Sequence, residues 1–301
     1  SETLLKHADI AMYRSKDVGR NSFQLFQPSM NARSLERLAM MSRFQHALEN
    51  DEFELYFQPK QCLKTGGIMG AEALLRWQDP DLGTISPAQF IPLAEELGLV
   101  VRLDLWVINQ AGKELTLWQA QGMNPGRLAI NVSACHLSQG KLADNIKVML
   151  NRYQLPGSLL EIELTESSFI GSFSQAKEQL QQLKTLGVHI ALDDFGTGYS
   201  ALSYLTKLPF NTLKIDASFI AKIPDEYGNS QIVAAIIAMA TSLGLDVVAE
   251  GVEHASQEAH LATIGCNIIQ GYHYCYPLTR QQWIAFYNQA ANGYSESTLT
   301  S

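Results

Sequence analysis

The sequence predicts an α/β barrel of parallel strands, and two observations support the prediction. Short apolar runs, each the length of one buried strand, alternate with amphipathic helical stretches along most of the chain. A polar residue stands near the C-terminal end of nearly every run, and in such a barrel these strand ends converge on a single site. The polar residues are Glu72, Asn131, Glu163, Asp193, Asp194, Lys214, Glu250 and Gln270.

The first 50 residues precede this regular alternation. An amphipathic helix that ends at Gly19 and a strand-like stretch over 21–27 cannot bury a core alone, so residues 1–27 are expected either to dock on another part of the protein or to be the remnant of another domain. A further helix is predicted over 34–50, and residues 28–50 are interpreted as a linker helix.

The barrel domain is expected over residues 51–291. Its first strand is ELYFQPK, and the turn at residues 65–67 predicts a hairpin into GIMGAEALLRW, which makes the first strand antiparallel to the others. Two helices follow, the first capped by Ser86 and Pro87. Six more strands then alternate with helices: LAINVS, LLEIELTE, HIALDDF, TLKID, DVVAEG and CNIIQGY. Eight strands are enough to close a barrel. Residues 292–301 are left as a polar tail that is expected to fray.

Composition restricts the classes of function. The 301 residues carry a net charge of −8, which argues against binding of long nucleic acid, since that needs a basic surface. A small phosphorylated ligand stays compatible, because bound divalent metals would reverse the local field. The most apolar segment, 232–252, is interrupted by Gly244 and Asp246 and is too short on either side to cross a bilayer, so no direct membrane contact is expected from this chain.

Strand parity supports a shared site. On five strands the polar residue shares a face with residues two positions away, while the alternating positions are apolar. These faces hold Glu72, Leu74 and Arg76; Ala129, Asn131 and Ser133; Glu161 and Glu163; Lys214 and Asp216; and Ile268 and Gln270. The polar residues are therefore predicted to point into the barrel.

The segment LDDFGTGYS carries the strongest chemical signal. Asp193 and Asp194 end a buried strand and are followed by two glycines, which predicts two carboxylates on a tightly turning loop. Asp193 could bridge two cations while Asp194 binds one, and a pair of cations about 3.5–4 Å apart clamps both oxygens of a phosphodiester displacement. Oxygen ligands with one amide favour Mg²⁺ or Mn²⁺ over zinc.

Each residue alone also has a structural interpretation. A strand-end Asn is often a cap, an isolated Glu is often an ion-pair partner, and Lys214 could merely neutralise Glu163 or Asp216. Glu161 is interpreted as a deeper barrel residue that needs a structural partner. Their repetition on consecutive strands favours one site, although the spacing alone fits a Mg²⁺-dependent barrel acting on a carboxylate substrate through an enolate almost as well.

Seven motifs, in order, closely resemble the EAL-domain family of cyclic di-GMP phosphodiesterases. They are Glu72-Ala73-Leu74 within GAEALLRW, NVS at 131–133, ELTE at 163–166, DDFGTGYSAL at 193–202, KID at 214–216, AEGVE at 249–253 and QGY at 270–272. The resemblance covers about residues 35–290. It implies a TIM-like (β/α)8 barrel with an antiparallel first strand, two Mg²⁺ or Mn²⁺ ions, and hydrolysis of cyclic di-GMP to linear pGpG.

The resemblance also implies roles for individual residues. The metal ligands would be Glu72, Asn131, Glu163, Asp193, Asp194 and Glu250. Lys214 would hold the attacking water, Asp216 would orient it, and Glu166 would brace the DDFGTG loop, through which dimer contacts would tune activity. Gln58, Leu74 and Arg76 would face the dinucleotide, Arg76 through a phosphate, and Gln270 would contact the water or the second metal.

Two features stand apart from that pattern. Asn267, Tyr276 and Thr279 replace the aspartate, basic residue and proline that family members often carry, which affects affinity or loop geometry more than chemistry. Residues 1–27 resemble the C-terminal end of a GGDEF (diguanylate cyclase) domain without its GGDEF loop. The chain is then expected to come from a longer tandem protein, in the cytoplasm or as the cytoplasmic portion of a larger membrane-anchored sensor, and to form a homodimer.

Two alternatives remain open within this interpretation. A catalytically silent domain would bind cyclic di-GMP as a receptor, but such receptors usually lose metal ligands or the lysine, and none is lost here. A barrel that only mediates dimerisation and signal relay would not need the inward carboxylates, and it would bind no divalent ion tightly.

Overall fold

The computed structural model describes residues 39–50, 52–169, 173–196 and 202–297. The chain divides into two compact units, one formed by Ser1–Phe53 with Trp77–Leu97 and the other by Glu54–Arg76 with Gly98–Ser301. The domain remnant predicted for residues 1–27 and residues 197–201 of the predicted DDFGTGYS loop lie outside the described residues. Within the described part, no helix combines the length and the apolar character needed to cross a membrane.

A closed ring of eight strands forms the centre of the second unit. The strands of the chain are β1 (Phe53–Cys62), β2 (Ile68–Asp79), β3 (Gly83–Ile85), β4 (Arg127–Asn131), β5 (Leu160–Thr165), β6 (His189–Phe195), β7 (Thr212–Ile215), β8 (Asp246–Ala249) and β9 (Ile268–Ile269). Around the ring the order is β1-β9-β8-β7-β6-β5-β4-β2, closed by the β1–β2 pair. All neighbours pair in parallel except β1, whose Gln61 lies opposite Ile269 in an antiparallel register. The predicted α/β barrel with an antiparallel first strand is confirmed.

Helices alternate with these strands along the chain. They are α1 (39–47), α2 (Pro87–Glu96), α3 (Val100–Ala120), α4 (Ala134–Ser138), α5 (Leu142–Tyr153), α6 (Phe173–Thr185), α7 (Leu202–Leu205), α8 (Ala217–Ile220), α9 (Tyr227–Ser242), α10 (Ala255–Thr263) and α11 (Arg280–Ser297), with 3₁₀ turns at Gly157–Leu159 and Glu166–Phe169. The last helix continues six residues past the predicted end of the barrel domain, so the first part of the polar tail is helical.

Period-two patterning of the strands separates a polar interior from an apolar exterior. On β5, Leu160, Ile162 and Leu164 are fully buried in the hydrophobic core of the second unit, while Glu161 and Glu163 between them face the opposite way. Burial of each such aliphatic side chain contributes about 1.5–3 kcal/mol. This apolar layer is what allows the barrel interior to hold charged side chains.

The first unit has its own aromatic core. Phe44 of α1 packs against Phe53, Trp77 and Phe90, with ring centroids 5.6–6.4 Å apart. The short strand β3, which the sequence pattern did not indicate, pairs with the end of β2 in this unit. Ser86 stands at the N-cap of α2 as expected, with proline in the first turn, but its side chain makes no capping hydrogen bond.

Candidate functional site

Lys214 is the centre of a buried charge cluster inside the barrel. Its side chain is 1% exposed, and its Nζ lies 2.6 Å from Glu163 Oε2, 2.7 Å from Glu250 Oε1, 3.0 Å from Asp193 Oδ1 and 3.5 Å from Glu72 Oε2. The four carboxylates lie on β2, β5 and β6 and directly after β8, and Lys214 lies on β7, so only the closed ring brings them together. The predicted convergence of strand ends is observed.

Three amide side chains extend the cluster and orient Glu72. Asn131 Nδ2 donates to Glu72 Oε1 at 2.7 Å, and Gln270 Nε2 donates to Glu72 Oε2 at 2.6 Å and to Gln58 Oε1 at 3.1 Å. Gln58 Nε2 in turn donates to the carbonyl oxygen of Cys275 at 3.2 Å. Gln270 Oε1 is buried without a hydrogen-bond partner, so the site holds an acceptor that water or a cation would satisfy.

A bulge in β6 brings the two adjacent aspartates to one side. The pairing with β7 shifts register between Leu192 and Phe195, and Asp194 has a φ of 53°. On a regular strand Asp193 and Asp194 would face opposite ways, whereas here ligand atoms of both lie within 4.8 Å of each other and of Glu250. Both aspartates lie near the end of the predicted strand HIALDDF, as expected, and the bulge is what turns the chain there.

Burial controls the ionisation of this cluster. It is the largest effect on Glu72, Asp193 and Glu250, and with repulsion between carboxylates it raises the pKa of each despite the nearby Lys214 ammonium. Burial also opposes ionisation of Glu163, but the ammonium groups of Lys214 and Lys60 lower its pKa to about 2. Burial favours neutral Lys214 as well, yet the surrounding carboxylates raise its pKa well above 10.5, so it stays charged.

Other predicted residues flank the cluster. Glu166 Oε1 accepts a hydrogen bond from the Gly196 backbone N–H at 2.8 Å, directly after β6. Asp216 is half-buried and caps α8, because its Oδ1 accepts from the Ser218 backbone N–H at 3.0 Å. Arg76 is half-buried on β2, with its guanidinium 5.4 Å from the centroid of the Tyr56 ring, and Leu74 is half-buried on the same strand.

Comparison with known families agrees with this geometry. The family model described as EAL domain matches residues 41–277, which is most of the chain. The chain belongs to the EAL domain family.

Relatives of this EAL domain include proteins named as cyclic di-GMP phosphodiesterases. The bifunctional diguanylate cyclase/cyclic di-GMP phosphodiesterase MucR of Pseudomonas aeruginosa is 41% identical over 94% of this chain and 41% of its own length. The cyclic di-GMP phosphodiesterase PdeR of Escherichia coli is 39% identical over 92% of this chain and 42% of its own length. The chain therefore spans less than half the length of these relatives.

Solved structures of EAL domains share the fold. The MucR phosphodiesterase in complex with cyclic di-GMP superposes with a TM-score of 0.78 at 39% identity, covering 81% of this chain and 99% of that one. The FimX EAL domain of Pseudomonas aeruginosa bound to cyclic di-GMP gives a TM-score of 0.73 at 30% identity, covering 80% and 96%.

The donor set of this EAL domain fits hard divalent cations. Along the barrel axis the carboxylates of Glu72, Glu161, Glu163, Asp193, Asp194 and Glu250 accompany the ammonium groups of Lys60 and Lys214. The carboxylates outnumber these two ammonium groups, so the site is negatively charged when all of them are ionised, and bound divalent cations would offset that charge. Carboxylate and amide oxygens are the ligands that Mg²⁺ and Mn²⁺ favour.

Lys60 is the site residue that the sequence analysis missed. It is buried on β1, and its Nζ lies 2.7 Å from Glu161 Oε1 and 2.8 Å from Glu163 Oε1. Lys60 provides the structural partner that Glu161 was expected to need. A signal was present, because Lys60 stands two residues after Gln58 and therefore shares its inward strand face.

Proposed function

We propose that this chain hydrolyses one phosphodiester bond of cyclic di-GMP to give linear pGpG, with two Mg²⁺ or Mn²⁺ ions as cofactors. The observation that carries the proposal is the buried cluster around Lys214, which assembles oxygen ligands and one fixed ammonium group at the strand ends of the barrel. The similarity to MucR, a phosphodiesterase solved with cyclic di-GMP bound, supports the choice of substrate.

Six residues would hold the cations, namely Glu72, Asn131, Glu163, Asp193, Asp194 and Glu250. When bound, such cations neutralise the carboxylates, lower the pKa of a water and stabilise charge on the phosphodiester oxygens. The raised pKa values of Glu72, Asp193 and Glu250 support this assignment. Burial and repulsion between the neighbouring carboxylates disfavour their ionised forms, and a bound cation would stabilise those forms.

Lys214 would hold the attacking water. Its ammonium has three N–H donors for four neighbouring carboxylates, so it can exchange one carboxylate contact for the water oxygen without leaving its position. Asp216 would orient this water, and its carboxylate is fixed for that purpose by the backbone N–H of Ser218. Glu166 would keep the end of β6 in place through Gly196.

The substrate-binding residues lie on β1, β2 and just after β9. Arg76 would bind a phosphate oxygen, since its stacking over Tyr56 orients a guanidinium that still has free capacity among its five N–H donors. Gln58 and Gln270 are linked by a hydrogen bond and would contact the dinucleotide together, and Leu74 would give it an apolar contact.

We also propose that residues 1–27 are the C-terminal remnant of a GGDEF domain in a longer protein, with 28–50 as a linker and 51–291 as the EAL barrel. Support comes from the ADIAMYRSKDVGRNSFQLF segment and from MucR, which is named as a bifunctional cyclase and phosphodiesterase. The cytoplasmic location and the homodimer stay predictions, and light scattering of the purified chain tests the homodimer.

Chromatography of the reaction products tests the proposed activity. The chain is incubated with cyclic di-GMP and Mg²⁺ or Mn²⁺, with EDTA as the metal control and Glu72→Gln as the matched variant. We expect pGpG only from the metal-loaded wild-type chain. Binding of intact cyclic di-GMP without product would favour the receptor function instead.

A further inference from the structure

Lys60 contacts the site from the side opposite to Lys214. Glu163 has two carboxylate oxygens, and each is bound by a different ammonium group: Oε1 by Lys60 at 2.8 Å and Oε2 by Lys214 at 2.6 Å. Since β1 and β5 are not neighbours in the ring, the Lys60 side chain crosses the barrel interior to reach Glu163. The orientation of Glu163 therefore depends on a residue that belongs to none of the family motifs quoted above.

Contacts deeper in the barrel interior fix the position of the Lys60 side chain. Its second contact is Glu161 Oε1 at 2.7 Å, and Glu161 Oε2 accepts a hydrogen bond from Thr212 Oγ1 at 2.9 Å. The Arg127 guanidinium lies 3.9 Å from the same oxygen. Lys60 thus connects a polar layer deep in the barrel with the layer that carries the candidate metal ligands.

We propose that Lys60 is a positioning residue for the metal site: it holds Glu163 by Oε1 and so keeps Oε2, the oxygen next to Lys214, within the cluster of carboxylates that would hold the cations. This inference rests on the proposed function in that Glu163 is taken as a metal ligand. Partners that hydrogen-bond to a ligating carboxylate keep it in one orientation, and their loss typically lowers metal affinity or activity by about 10–100-fold. Without Lys60, the Glu163 carboxylate would have to be ordered when the cation binds.

A purely structural role for Lys60 predicts something different. In that case Lys60 only neutralises two buried glutamates, and any change that unbalances the Lys60–Glu161 pair should harm the fold and the site to the same extent. The two roles separate when stability and metal affinity are measured on the same variants.

The decisive measurement is Mn²⁺ binding to the whole chain without substrate, followed by the electron paramagnetic resonance signal of free Mn²⁺. For Lys60→Met we expect a Kd for Mn²⁺ raised by about 10–100-fold. The control is Lys64→Met, which removes the same charge from an exposed turn of the β1–β2 hairpin and should bind Mn²⁺ like the wild type.

Two further variants keep the test informative if Lys60→Met folds poorly. Glu161→Gln removes the negative charge of the deep ion pair but leaves Lys60 on Glu163, so we expect wild-type Mn²⁺ affinity with a lower Tm. The double variant, Lys60→Met with Glu161→Gln, leaves no unpaired Glu161 carboxylate, so its Tm should exceed that of Lys60→Met while its Mn²⁺ affinity stays weak. Wild-type Mn²⁺ affinity in Lys60→Met, or affinity that recovers together with Tm in the double variant, would overturn the proposal.

The proposed function is tested separately on the same protein. If the wild-type chain forms no pGpG but the Mn²⁺ titrations follow the pattern above, the phosphodiesterase activity is wrong and the assignment of Lys60 stands. If the wild-type chain forms pGpG and Lys60→Met binds Mn²⁺ normally, the assignment of Lys60 alone is wrong.

Discussion

Lys214 contacts four carboxylates but would make no bond to a metal, so its removal should separate stability from chemistry. In Lys214→Met without metal, the carboxylates lose their common partner, and we expect the free energy of unfolding to fall by about 3–5 kcal/mol. Added Mn²⁺ should restore Tm, because no metal ligand is lost. Turnover should nevertheless fall by about 10²–10³-fold, the usual effect of losing one fixed donor at the reacting atoms. Calorimetry with EDTA or Mn²⁺ and a product assay give the three quantities.

Glu72→Gln provides the opposite case. It keeps the shape of a side chain that Asn131 and Gln270 hold, but it removes one candidate metal ligand. We expect weaker Mn²⁺ binding and loss of turnover, with little loss of Tm in EDTA. Normal turnover in Glu72→Gln would contradict the two-metal interpretation, and loss of Mn²⁺ binding in Lys214→Met would contradict the separate role of the lysine.

Asp194 provides a carboxylate and also has a left-handed backbone conformation. Two substitutions can separate the effect of losing the carboxylate from the effect of backbone strain. Asn adopts a positive φ more readily than Ala, for which the left-handed region costs about 1–2 kcal/mol. Both Asp194→Asn and Asp194→Ala should lose turnover, but Asp194→Ala should be less stable than Asp194→Asn by about 1 kcal/mol. Thermal unfolding in EDTA measures the difference. Equal stability of the two variants would mean that the bulge carries no backbone strain.

At the scale of secondary structure, period-two alternation was sufficient to predict the eight barrel strands and most of their inward polar residues. Alternation along β2, β5 and β7 placed Glu72, Glu163 and Lys214 on faces that do meet. The same rule could not bring Asp193 and Asp194 together, because that depends on a bulge, and a bulge is set by pairing with β7 rather than by local sequence. Lys60 also follows the alternation along β1, but the sequence analysis did not select it, because it lies outside the motif residues.

Close approach of β2 and β4 sets the register that places Glu72 beside Asn131. Gly126 has a φ of 94°, and a Cβ there would lie 2.1 Å from the Met69 carbonyl oxygen. Gly126→Ala should therefore lower the free energy of unfolding by more than the cost of the left-handed backbone alone, which is about 1–2 kcal/mol. Gly122→Ala is the matched control, because Gly122 has a φ of 70° but open space around its Cβ position. Urea unfolding should show a larger loss for Gly126→Ala, and equal losses would mean that the strands adjust freely.

At the scale of the whole molecule, the site exists only when the barrel is closed. Its residues run from Gln58 to Gln270 in sequence and come from strands that are distant along the chain. Cations that bind this site therefore bind the folded chain and not the unfolded one, which stabilises the fold by mass action.

The pH dependence of that stabilisation follows from the raised carboxyl pKa values. Glu72, Asp193 and Glu250 hold protons in the folded, metal-free chain that they release when unfolded, so above the usual glutamate pKa of 4.5 these groups make the metal-free fold less stable as pH rises. Cation binding requires the same groups to ionise and should release protons. We expect the increase in Tm caused by Mn²⁺ to grow as pH rises above the usual carboxyl range, and calorimetric titration in buffers of different ionisation enthalpy should detect the released protons. Glu72→Gln removes one of these carboxyls and should release fewer protons. A Tm increase that does not change with pH would mean that the carboxylates are already ionised in the metal-free chain.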